Sequence, residues 1–173
     1  MNETVYKWKP KDKLLYVLSM IPFLAVFAGA SYILATYSIY LMLILFALYI
    51  ITNVFQAGCC VGCPYRGKYC PALCGVYLGN LLSVILYRNR KFDAKFFKVN
   101  ATLGEIMVLV VALFPVYWVF RTAWYLLIIY FSLIAAHFVL FMSTQCGKCS
   151  YNKTCPAGQF TLSCRRRQEA KTE

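Results

Sequence analysis

The chain reads as an all-α integral membrane protein. Four transmembrane helices form two tandem helix hairpins, each followed by a cysteine-rich loop, with a short interfacial helix between the halves. Three observations predict this. The 173 residues are 61% hydrophobic and only 14% charged, more apolar surface than a soluble domain of this length can bury. Two long runs, 14–57 and 106–146, carry between them a single charged residue, Arg121. All nine cysteines fall in or beside two short windows, each directly after one of those runs.

A spanning helix takes about 20 apolar residues, so each run is a pair of helices joined by a tight turn. Turns near Thr36-Tyr37-Ser38 and Arg121-Thr122 give spans over 14–35, 38–57, 103–120 and 123–144. The first span is too long for a signal-peptide core and is expected to be retained. Pro22 and Pro115 lie inside spans and are expected to kink them. The organisation is then a basic N-terminus (1–13), hairpin 1 (14–57), cysteine loop 1 (58–74), a connector (75–102), hairpin 2 (103–144), cysteine loop 2 (145–164) and a polar tail (165–173).

The connector opens with an apolar stretch, 75–87, too short to span. Asn80, Ser83 and Tyr87 recur there at helical spacing, which leaves Leu78, Leu81, Leu82, Val84, Ile85 and Leu86 for lipid or protein. Next comes a basic stretch, 88–98, in which Lys91, Lys95 and Lys98 share a helical face suited to anionic lipid. With four spans, 17 of the 18 Lys and Arg fall on the side that holds both termini and both cysteine loops. The positive-inside rule makes that side cytoplasmic, in an N-in/C-in inner-membrane protein. The net charge of +12 therefore reads as topology and lipid contact, with no nucleic acid implied.

The cysteine windows match each other. Cys60-x2-Cys63-x6-Cys70-Pro71-Ala72 is followed 86 residues later by Cys146-x2-Cys149-x5-Cys155-Pro156-Ala157, with one residue fewer before the Cys-Pro-Ala. Duplication of a hairpin-plus-loop unit follows, with a pseudo-two-fold axis along the membrane normal. Cytoplasmic cysteines in groups are more often metal ligands or redox catalysts than disulfides. The expected ligand sets are Cys60, Cys63, Cys70 and Cys74, and Cys146, Cys149, Cys155 and Cys164; Cys59 is an alternative fourth ligand in the first. Four thiolates suit an iron–sulfur cluster or tetrahedral zinc, and Arg66, Lys68, Lys148, Lys153 and Arg165 would favour the thiolate forms. Iron–sulfur is preferred over zinc, because the spanning helices already supply a fold that needs no zinc staple.

Cys155-Pro156-Ala157-Gly158 resembles the Cys-Pro segments of membrane-bound polyferredoxin subunits over those few residues; the C-x2-C-x2-C-x3-C-P run of bacterial ferredoxins is absent. His137, the one histidine, lies in the fourth span. An ionisable side chain there is a candidate quinone contact or proton relay, with helix packing as the alternative. Glu105, at the start of the third span, is read as a proton carrier near the cysteine face or a helix N-terminal acid. Trp8, Trp118 and Trp124 read as interfacial anchors.

The leading functional expectation is a non-catalytic electron-transfer subunit at the cytoplasmic face of a membrane oxidoreductase complex. It would work between partner subunits, or an acidic soluble redox protein, and a membrane carrier. The alternatives are soft-metal (copper or mercury) transport or trafficking, thiol–quinone exchange in a four-helix oxidoreductase, and structural zinc. Mercury-uptake membrane proteins likewise use vicinal cysteines, as at Cys59-Cys60, although no cysteine lies deep in a span.

Overall fold

The computed structural model describes residues 7, 9–68, 78–145, 149, 159 and 162–163. Among them the ordered elements are all helical: α1 (Pro10–Tyr37), α2 (Ile39–Cys59), α3 (Gly79–Leu86), α4 (Ala94–Leu113), α5 (Val116–Thr122) and α6 (Trp124–Gln145). Helices α1, α2, the α4–α5 pair and α6 are each long and apolar enough to cross a bilayer. Their outward faces carry large apolar side chains such as Leu24, Leu109 and Val139, as lipid requires.

Local chemistry sets the helix ends. Pro10 occupies the first turn of α1, where its missing N–H costs nothing. The Asp12 carboxylate accepts from the Lys9 backbone N–H at 3.1 Å. Each hairpin turns on one extended residue: Ser38 (φ −165°, ψ 135°) and Ala123 (φ −165°, ψ 133°). Both keep their N–H on the preceding helix, at the carbonyls of Leu34 and Val119. The two tips touch through the hydroxyls of Tyr37 and Thr122, 3.4 Å apart.

The third span differs from its sequence reading at both ends. Helix α4 starts at Ala94, inside the basic connector, because the Asp93 side chain caps it by accepting from the Lys95 N–H at 3.0 Å. Lys91 therefore precedes the helix, while Lys95 and Lys98 lie on it. Glu105 falls well inside α4 and is exposed, so it is not a helix N-terminal acid. The two prolines also part ways: α1 runs unbroken through Pro22, whereas the third span breaks at Phe114–Pro115. Pro115 has no N–H for the Val111 carbonyl, and the neighbouring Ala112 carbonyl accepts from the Tyr130 hydroxyl of α6 at 2.7 Å.

Packing runs around a ring: α1 against α2 and α6, α2 against α4 and α3, and α6 against α5. Buried positions on α2 and α6 share one spacing. Leu45, Thr52 and Gln56 on α2 correspond, 85 residues on, to Tyr130, His137 and Phe141 on α6. Leu34 and Val119 keep the same offset, as do Ser19 and Gly104. The interior changes character along the bundle. Its hairpin-tip half is apolar, built on Ala30, Leu34, Leu45, Val119 and Tyr130. Toward the other end polar residues join the buried set: Ser19, Thr52, Asn53, Gln56, Asn100, His137 and Gln145, beside Tyr16, Met20 and Phe141.

Candidate metal-cysteine centre and intramembrane crevice

The first cysteine window leaves α2 as a chain of turns. Cys59 is the last residue of α2 and Cys60 caps it. Both thiols lie against the carbonyls one turn back: Cys59 Sγ is 3.9 Å from the Phe55 oxygen and Cys60 Sγ 3.8 Å from that of Gln56. The CxxC closes as a β-turn, with the Cys63 N–H donating to the Cys60 carbonyl at 3.1 Å. Gly62, at its third position, has φ +77°, a conformation only glycine takes without strain. A side chain there would also strike Phe92. Further turns follow, Arg66 N–H to Cys63 carbonyl and Lys68 N–H to Tyr65 carbonyl.

Helix α3 holds these turns in place. The buried Asn80 side chain accepts from the Gly67 N–H at 2.9 Å and donates to the carbonyls of Lys68 (2.6 Å) and Tyr65 (3.3 Å). Arg66 reaches the other way, donating from Nη2 to the carbonyls of Ser83 and Tyr87, each at 2.6 Å. It caps the C-terminal end of α3, a structural role that the sequence did not indicate. Asn80 and Ser83 are buried while Leu81, Ile85 and Leu86 are exposed. The polar face of α3 thus turns to the loop and its apolar face outward.

Of the expected ligands, Cys60 is buried, and Cys63 and Cys149 are half-buried. Cys70, Cys74, Cys146, Cys155 and Cys164 lie outside the described residues. Among the described residues no three His, Cys, Asp or Glu side chains converge as metal ligands. The donor chemistry of the turn nonetheless fits a thiophilic metal at half a site. Cys60 and Cys63 supply two soft sulfur donors, and the glycine-dependent turn fixes the spacing of the pair.

One turn below Cys60 along α2, Gln56 begins the wall of a crevice of about 90 Å³ inside the bundle. Phe23 and Phe27 of α1, Tyr49 of α2, Tyr130 and Phe138 of α6 and Val108 and Ala112 of α4 line it. Thr52, Asn53 and His137 also line it. His137 is buried, and its Nδ1 lies 2.8 Å from the Ser19 carbonyl. A carbonyl only accepts, so Nδ1 carries the proton, and in the neutral ring Nε2 is an acceptor. Phe23 packs against the imidazole with centroids 5.5 Å apart. Asn53 donates from Nδ2 to the Tyr49 carbonyl at 2.8 Å, while Asn53 Oδ1 and Gln56 Oε1 are buried with no hydrogen-bond partner among the described residues. Thr52, Asn53 and Gln56 were open to discovery in the sequence as polar residues clustered within an uncharged span, which are costly there and mark packing or function. No family model, curated protein or solved structure matches this chain.

Proposed function

We propose that this protein is a membrane-anchored electron-transfer subunit whose cysteine loops hold metal, as iron–sulfur in preference to zinc, at the cytoplasmic face. The observation that carries the reading is the CxxC turn. Cys60 and Cys63 sit at the end of a spanning helix on a turn that needs Gly62, and Asn80 pins the turns that follow to α3. Cys60 and Cys63, with Cys70 and Cys74, would hold one centre, and Cys146, Cys149, Cys155 and Cys164 the second. An iron–sulfur cluster supplies one-electron transfer when bound. The chain's own contribution is to fix the ligand spacing through Gly62 and Asn80 and to keep the site at the end of a spanning helix.

Duplication of the hairpin is supported by the 85-residue offset shared by the buried positions and by the two one-residue turns. The cytoplasmic orientation rests on the basic residues, which also form a surface fit to dock an acidic partner. His137 is the proposed contact for a membrane carrier of the quinone class. A second reading, soft-metal trafficking, is favoured by the vicinal Cys59 and Cys60, both at the end of α2.

Metal content, acid-labile sulfide and visible absorbance of the anaerobically purified protein decide between these. Iron with sulfide and a dithionite-bleached visible band, lost in Cys60→Ser and Cys63→Ser, is the expected result. Stoichiometric zinc in a colourless protein would sink the electron-transfer reading. Metal-free protein that takes up copper(I) or mercury(II) would put trafficking in its place.

A further inference from the structure

We propose that the crevice is a binding site for the ring of a hydroquinone-class molecule, held through its hydroxyl groups by Asn53, Gln56 and His137. The inference rests on the electron-transfer reading for the role of the ring, and on the geometry of the crevice for its binding.

The crevice lies where the two halves differ. At the 85-residue offset, Phe23 and Phe27 of α1 correspond to Val108 and Ala112 of α4. Two phenyl rings on one side of the bundle are thus an isopropyl group and a methyl group on the other, and the space they leave is lined by Val108 and Ala112. Helices α4 and α6 are not among the pairs that pack closely; past the Pro115 break it is α5 that meets α6. The Tyr130 hydroxyl on the Ala112 carbonyl bridges α4 and α6, and ring entry is expected on this side, beside that bond. At about 90 Å³ the crevice takes one hydroxyl end of the ring.

The polar atoms at the crevice select the occupant. The wall is aromatic and aliphatic, which suits a flat apolar ring. The buried crevice atoms with no hydrogen-bond partner among the described residues are acceptors. Asn53 is oriented by its Nδ2 bond to the Tyr49 carbonyl, which leaves Oδ1 open. Gln56 Oε1 is buried without a partner among the described residues, and the Ser19 contact makes His137 Nε2 an acceptor. Buried acceptors call for donors. A hydroquinone brings two O–H donors on an apolar ring, its quinone brings only acceptors, and the unsubstituted hydrocarbon brings neither. The site is therefore expected to prefer the reduced form.

The test is anaerobic equilibrium dialysis of the full-length protein in detergent, with three probes of one shape: tetramethylhydroquinone, tetramethylbenzoquinone and tetramethylbenzene. The hydroquinone should bind at least about tenfold more tightly than the other two, because a site built to pair a hydroxyl rejects analogues that lack it. Asn53→Leu should remove that preference. Ala112→Phe and Val108→Phe, which restore the rings present in the other half, should each abolish binding, with helical content by circular dichroism as the control for folding. Equal binding of all three probes would overturn the proposal in favour of an apolar slot. Absence of binding, or binding unchanged in both Phe variants, would also overturn it. An intact iron–sulfur band with failed dialysis would sink the crevice alone. A colourless zinc protein that binds the hydroquinone selectively would sink the electron-transfer reading alone.

Discussion

Replacing Asn80 by alanine cuts three hydrogen bonds at once, those to the Gly67 N–H, the Lys68 carbonyl and the Tyr65 carbonyl. Each such bond contributes roughly 0.5–1.5 kcal/mol net. Their loss should ease local opening of the 60–68 turns by roughly 1.5–4.5 kcal/mol, or about 10- to 2,000-fold. Hydrogen–deuterium exchange by mass spectrometry reads this directly in peptides over 60–68, with peptides from the centre of α2 as the internal control. Faster exchange in the loop with unchanged exchange in α2 is expected. Asn80→Asp sharpens the test. The carboxylate can still accept from Gly67, but its second oxygen faces the two carbonyls that Nδ2 served. That substitution should open the loop further than alanine does near neutral pH. Burial against those carbonyls raises the folded-state carboxyl pKa above its unfolded value. The protonated acid can donate, so the gap to alanine should close as pH falls toward the carboxyl titration and widen as pH rises through it. Loop exchange within twofold of wild type in Asn80→Ala would refute the assignment of Asn80 as the pin.

Other substitutions test neighbouring parts of the reasoning. Gly62→Ala should cost more than Gly67→Ala: both glycines have positive φ, worth about 1–2 kcal/mol to an L-residue, but only at Gly62 would the new carbon strike Phe92, whereas at Gly67 it makes ordinary contact with Val84. Loop exchange ranks the two. Tyr130→Phe leaves the Ala112 carbonyl beside the Pro115 break without its hydroxyl donor; a loss of about 1 kcal/mol should lower the apparent Tm in detergent by about 2–4 °C.

The four spans were legible because bilayer thickness demands long apolar runs, and the two turns because polar or charged residues interrupt them at the right distance. The CxxC turn could be read as a paired-ligand motif from its spacing, although its dependence on Gly62 and Asn80 comes from backbone geometry that spacing does not report. Helix α4 starts before its apolar onset, and the signal for that in the sequence is Asp93, a good cap two residues before Lys95. Pro115 breaks its helix where Pro22 does not, and beside the break Tyr130, 18 residues beyond Ala112, serves that residue's carbonyl. Arg66 looked like a thiolate neighbour in sequence and is a helix cap in space. The crevice was the least legible feature. It needs four helices to form, and the polar signals of Thr52, Asn53, Gln56 and His137 lie on two spans that a linear reading does not bring together.

Helix α2 carries both halves of the candidate site, Cys59 and Cys60 at its end and Asn53 and Gln56 below, so its seating against α4 should govern both. Small residues set that seating. A Cβ on Gly58 would overlap the Asn100 side chain, and one on Gly104 would press on Gln56, the close-approach pattern of helices packed in lipid. Gly58→Ala must therefore push α2 and α4 apart or displace Asn100, at a cost of about 1–3 kcal/mol. Asn100 donates its own amide to the Phe96 carbonyl within α4, a bond that a solvated or bifurcated helix carbonyl can do without. Asn100→Ala should then cost little alone and should rescue Gly58→Ala, the mark of two residues coupled by direct contact. Thermal unfolding of the four proteins in detergent supplies the cycle. Additive losses, with no rescue in the double variant, would show that the glycine is needed for something other than the approach of Asn100, and the shared seating of crevice and cysteine turn on α2 would lose its physical basis.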